Sequence, residues 1–156
     1  MINFDKIVDS IFVGSCPATA VDVGRLKQAG ITAVLNLQTD IDFTVIGINW
    51  SVMENAYESA AIAPYRVPIV DFDRDNLTRL LPAAAQTLNE MLLNQHRVYV
   101  HCTAGIERSP AVVVAYLAWH RNLGLEPALK LVKAARNCRP FEDALERADQ
   151  LHNRSV

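Results

Sequence analysis

The chain has 156 residues, 51% of them apolar, and a formal net charge of -2 with both signs dispersed along it. That length carries one domain with a sizeable core, spanning 1–156, and is short for two; without a basic stripe or polybasic run, neither nucleic acid nor an anionic membrane surface is an expected partner. Three cysteines, Cys16, Cys102 and Cys138, are too few for a disulfide scaffold and none pair at metal-ligand spacing, so we expect a reducing cytoplasm and no metal or other cofactor.

The opening MINFDKIVDS holds two acids and no apolar stretch of the kind a secretory signal needs. The longest apolar run, near Ala111 to Trp119, falls far short of the ~20 residues that span a bilayer, and a monomer is expected. Periodicity switches between strand and helix throughout. Ser10 to Ser15 reads as a strand, and Thr19 to Ala29 as a helix with Thr19 as cap and Gly30 as stop. Ile31 to Leu37 is a buried strand. Ser51 and Glu54 have capping-box spacing for a short helix carrying Met53, Ala56, Tyr57 and Ala60 on one side. Tyr65 to Val70 is extended, with Pro68 suggesting an edge or a strand end. A helix opens at Pro82 with Leu81, Ala85, Leu88 and Leu92 on one face, and Arg97 to His101 is the next strand. Three helices follow: Ser109 to Arg121 with Pro110 at its first position, one with Pro127 near its start, and Phe141 to about Asn153. Strands alternating with helices, then helices alone, give an α/β fold with helices on both faces of a small sheet.

The stretch VYVHCTAGIERSPAVVVAY, Val98 to Tyr116, concentrates the chemistry. A buried strand ends on His101 and Cys102, and a helix restarts behind Ser109 and Pro110. Between them a tight loop aims its amides and a helix N-terminus into one small space, which suits an anion. Amides, helix end and the Arg108 guanidinium would all favour Cys102 as thiolate, the form that attacks. Five residues between Cys102 and Arg108 allow the loop, Thr103, Ala104, Gly105, Ile106 and Glu107, to close as a ring, with Gly105 supplying a positive φ. Arg108 can grip two phosphate oxygens in its planar fork. Ser109 can donate to the sulfur when it leaves, and His101 reads as a buttress rather than a base. A phosphate ester also needs a proton for its departing oxygen. The segment DFDRDN offers Asp71, Asp73 and Asp75; Asp71 is favoured because it follows the strand directly, where it would lie beside the end of the Arg97 strand, and Phe72 would line the mouth.

On HCTAGIERS and VPIVDFD, with IFVGSC, GITAVLNLQTD, LPAA and RSPAV alongside, the chain resembles the dual-specificity phosphatases of the cysteine-dependent protein tyrosine phosphatase superfamily, and within them the plant glucan phosphatases related to laforin. The resemblance implies a small mixed sheet flanked by helices on both faces, no metal, and hydrolysis through a phosphocysteine. It assigns Cys102 as nucleophile, Arg108 as clamp and Asp71 as acid, then base. Three positions depart from the plant pattern. Val45 and Ile46 stand where two adjacent aromatics carry sugar rings, Arg139 replaces another aromatic, and Glu107 replaces a glycine and is expected to turn outward. Phosphorylated protein side chains are therefore the first expected substrate and phosphoglucan the alternative. A catalytically weak phospho-binding module and a rhodanese-like sulfur carrier are the remaining classes; the latter has no need of Asp71.

Overall fold

The computed structural model describes residues 1–155. In chain order the elements are β1 (Phe4–Val8), β2 (Ile11–Gly14), α1 (Ala20–Gln28), β3 (Ala33–Asn36), α2 (Asp40–Ile46), α3 (Trp50–Ser59), β4 (Ala63–Arg66), α4 (Arg74–Leu93), β5 (Val98–His101), α5 (Arg108–Trp119), α6 (Leu125–Ala135) and α7 (Glu142–Arg154). The strands form one sheet in the order β1-β2-β5-β3-β4. Four run parallel, and β1 pairs antiparallel with β2 at one edge.

Side-chain alternation divides the core between the two faces. Ile11, Val13, Ala33, Leu35, Val98 and Val100 pack with α4, α5, α6 and α7, while Phe12, Val34 and Tyr99 pack with Val23 and Leu26 of α1 and Met53 and Tyr57 of α3. Strands covered on both sides read as unbroken apolar runs, which is why β2, β3 and β5 stand out in the sequence. Helix α5 is buried from Arg108 to Ala118 between the sheet and α4, α6 and α7. It thereby holds the start of its own first turn rigid.

Several expectations need correction. β1 was not anticipated: its edge position leaves most of it half-exposed, so it lacks a clean apolar alternation. α2 was also missed; it is only seven residues long, marked by the reciprocal Thr39–Asp42 capping box. Asn49, not Ser51, caps α3. α4 starts at Arg74 with Asp73 as cap, and Pro82 lies inside it rather than at its head. Pro110 occupies the third position of α5, still in the first turn, where its missing N–H has no intrahelical partner to lose. Finally, β3 lies between β4 and β5. The chain after β4 nevertheless reaches the β5 end, because Val67 and Ile69 donate to the carbonyls of Asn36 and Leu37 and so carry residues 67–71 across the end of β3.

Candidate active site

The four parallel strands end on the same side, and the segments after them converge there. Cys16 follows β2, Gln38 follows β3, Asp71 follows β4 and Cys102 follows β5. At the centre is a cavity of about 250 Å³ lined by Asp71, Phe72, Cys102, Thr103, Ala104, Ile106, Glu107 and Arg108. His101 and Gly105 lie behind it, both buried.

The loop from Cys102 to Glu107 has its carbonyls tied outward one after another. His101 Nδ1 lies 2.9 Å from the Cys102 carbonyl. The Thr103 carbonyl accepts from the Cys16 amide at 2.9 Å and that of Ile106 from the Arg139 amide at 2.8 Å. The Ala104 and Gly105 carbonyls accept from Arg136, at 3.2 Å and 2.8 Å. In a trans peptide the following N–H points opposite to the carbonyl. Five amides, from Thr103 to Glu107, are therefore directed toward the cavity side. Gly105, at φ 70°, makes the turn, and a Cβ there would fall on the Gly14 backbone.

Because a carbonyl only accepts, His101 carries its proton on Nδ1. Burial pushes its pKa down to about 4, against the pull of that hydrogen bond and with the help of Arg108. It is neutral at physiological pH and cannot serve as an exposed base. Cys102 is buried, with Sγ 3.3 Å from Ser109 Oγ. The other nearby thiol, Cys16, donates to Gln38 Oε1 at 3.1 Å, and burial pushes it up to about 12. Cys16 therefore stays protonated. Gln38 in turn donates to Thr103 Oγ1.

Arg108 is held at both terminal nitrogens and open at Nε. Nη1 donates to Asp42 Oδ2 at 2.8 Å and to the Ile69 carbonyl at 2.9 Å. Nη2 lies 3.3 Å from Asp71 Oδ2 and 3.4 Å from Thr103 Oγ1. Nε is buried and has no partner among the described residues, so a bound oxyanion could take it together with Nη2. Asp42 is the sequence-invisible member of this group. Burial raises its carboxyl, but the Arg108 bond and the Thr39 amide and hydroxyl outweigh that and leave it below the ordinary value. The only local signal for Asp42 is its capping-box spacing, which marks a helix and says nothing of Arg108.

The three aspartates separate cleanly. Asp71 lines the cavity, one oxygen facing Arg108 and the other accepting from the Phe72 amide at 3.1 Å. Asp73 caps α4 through the Asn76 amide, and Asp75 pairs with Arg147 at the surface. Phe72, at φ 61° and 75% exposed, stands at the mouth. Glu107, expected to face solvent, instead lines the cavity; burial first, then the charge of Asp71, raises its carboxyl pKa against Arg74 and Arg108. Val45 and Ile46 are exposed, Tyr57 is buried, and Phe43 stacks on Trp50 with Arg66 lying over both rings.

The chain is similar to known proteins in sequence and in fold. The chain is 36% identical over 144 residues to phosphoglucan phosphatase LSF1 of Arabidopsis thaliana, covering 92% of this chain and 24% of that one. It is likewise 36% identical over 149 residues to phosphoglucan phosphatase DSP4 of Castanea sativa, covering 94% and 40%. It thus spans less than half the length of either relative. Human DUSP28 superposes with a TM-score of 0.71 at 26% identity, covering 96% of this chain and 95% of that one. A dual specificity phosphatase catalytic domain is matched over residues 11–146, a stretch that contributes every side chain lining the cavity, and the chain belongs to that family.

Proposed function

We propose that the protein is a metal-independent phosphomonoesterase that works through a phosphocysteine. The observation that carries this is the ring of outward-tied carbonyls around Cys102, with the free Nε of Arg108 beside it. Inward amides and guanidinium take the three non-bridging oxygens as negative charge builds on them. The Cys102 thiolate attacks phosphorus while the ester P–O bond breaks, and the Asp71 carboxyl protonates the departing oxygen. Asp71, now a carboxylate, takes a proton from water as that water attacks phosphorus. The P–S bond breaks, phosphate leaves, and the Ser109 hydroxyl donates to the returning thiolate. The test is hydrolysis of p-nitrophenyl phosphate in EDTA: wild type should turn over, and Cys102→Ser should be inactive yet still bind tungstate. Activity persisting in Cys102→Ser would refute the mechanism.

For the substrate, phosphoglucan is the reading the named relatives support, ahead of the phosphoprotein that the sequence put first. The phosphoprotein reading keeps one observation in its favour. Phe72 is the sole strongly exposed aromatic at the cavity among the described residues, since Phe43 and Trp50 are occupied by each other and by Arg66. Phosphate release from solubilised phosphorylated amylopectin, set against phosphotyrosine, phosphoserine and phosphothreonine peptides, decides between them.

A further inference from the structure

We propose that Arg136 is a positioning residue for the phosphate-binding loop, setting two of its inward amides; this rests on the phosphomonoesterase reading. Arg136 is the residue just past α6, in extended conformation at φ -143°, ψ 139°, and it is 6% exposed although it carries a full charge. Such burial is tolerated because each of its three nitrogens has a partner. On its inner edge Nε and Nη2 donate to the Gly105 and Ala104 carbonyls at 2.8 Å and 3.2 Å. On its outer edge Nη1 meets Asp5 at 2.9 Å and Nη2 meets Asn3 Oδ1 at 2.7 Å.

The guanidinium is therefore a rigid spacer between β1 and the back of the loop. Holding two consecutive carbonyls away from the cavity fixes two consecutive peptide planes, which turns the Gly105 and Ile106 amides inward. Gly105 most needs such a hold: with no Cβ and a positive φ, its flanking peptides could flip at small cost. Arg136 touches neither the cavity nor a bound oxyanion, so its effect passes through the loop backbone. A Lys would keep the charge and lose the fork, since one ammonium cannot span two carbonyls and two side chains.

Three readouts test this on the full chain. In the Cys102→Ser background, Arg136→Lys should weaken tungstate binding about 10-fold, the loss expected when a preset donor array loosens. In the active protein the same change should lower kcat/KM for p-nitrophenyl phosphate about 10- to 100-fold. It should also move the pH midpoint of iodoacetate inactivation upward, because fewer amides face the sulfur. A second variant, Asn3→Ala with Asp5→Ala, frees the outer edge from the surface side and should shift the same readouts by a smaller factor. If Arg136→Lys lowers thermal stability while tungstate affinity and the inactivation profile stay unchanged, Arg136 is only structural. Should Arg136→Lys not fold, unchanged tungstate binding in the double variant overturns the proposal. Tungstate binding is read whether or not wild type turns over p-nitrophenyl phosphate, so failure here is distinct from failure of the phosphomonoesterase reading.

Discussion

Asp71, Asp73 and Asp75 lie within five residues, yet their partners give them different consequences on mutation. Asp71→Asn should slow turnover ~10²-fold or more, the usual contribution of a positioned acid. The loss should shrink for good leaving groups, which is read by comparing kcat for p-nitrophenyl and phenyl phosphate. Asp73→Ala should cost about 1 kcal/mol of stability through the lost cap, and Asp75→Ala less than that because its pair with Arg147 is exposed. Both should leave kcat near wild type, and a larger kinetic effect at Asp73 would move the acid assignment. Glu107 adds a carboxylate facing bound phosphate. Glu107→Gln should therefore lower the inhibition constant of inorganic phosphate several-fold by removing a like charge. An unchanged constant would mean the carboxylate swings clear of the bound anion. At this scale, the sequence revealed what lies close along the chain or directly behind a strand: Cys102, Arg108 and Ser109 lie within eight residues, and Asp71 stands out by its place after an extended segment. Asp42 and Arg108 are 66 residues apart, Gln38 and Thr103 are 65 apart, and Arg136 and Gly105 are 31 apart. No spacing rule reaches across such separations.

Strands buried on both sides were readable from apolar runs; of the two edge strands, β4 was read over 65–70 where the fold has Ala63–Arg66, and β1 was not read. β1 is half-exposed, and the seven residues of α2 span only two turns, too few for a period of 3.6 to register. The head of α4 was misplaced because Pro82 resembles a first helical residue. In the fold it sits nine residues into the helix with its ring exposed, and the carbonyl of the buried Thr78 loses its helical donor there. Pro82→Ala restores that bond and deletes no buried surface. We expect it to stabilise the protein by roughly 1–3 kcal/mol, the penalty of an interior proline, read as a higher urea midpoint. A lower midpoint would show that the proline shapes α4 for its packing on α5 and α7.

For the molecule as a whole, the buried neutral His101 makes stability fall in mild acid. Its pKa drops from 6.5 to about 4 on folding, chiefly through burial. Between those values the unfolded chain binds the extra proton and the native chain does not, so stability declines as pH falls from about 6.5 toward 4. The decline is on the order of 3 kcal/mol. His120, also lowered by burial, contributes in the same direction, and Asp42, whose carboxyl is depressed, adds a further loss only below its ordinary value of 3.8. Urea midpoints at pH 7, 6 and 5 should therefore fall steadily in wild type and less steeply in His101→Gln; parallel slopes would contradict the assignment. The tethering of the loop has one more consequence, for how this protein is made. Its carbonyls are anchored from Cys16, His101, Arg136 and Arg139, and Arg136 closes back on Asp5, 131 residues away. A chain still emerging from the ribosome with Cys102 and Arg108 already synthesised has the motif but not the ring, because α6 and its last residues have yet to arrive. The ring of inward amides thus assembles only once the final third of the polypeptide docks.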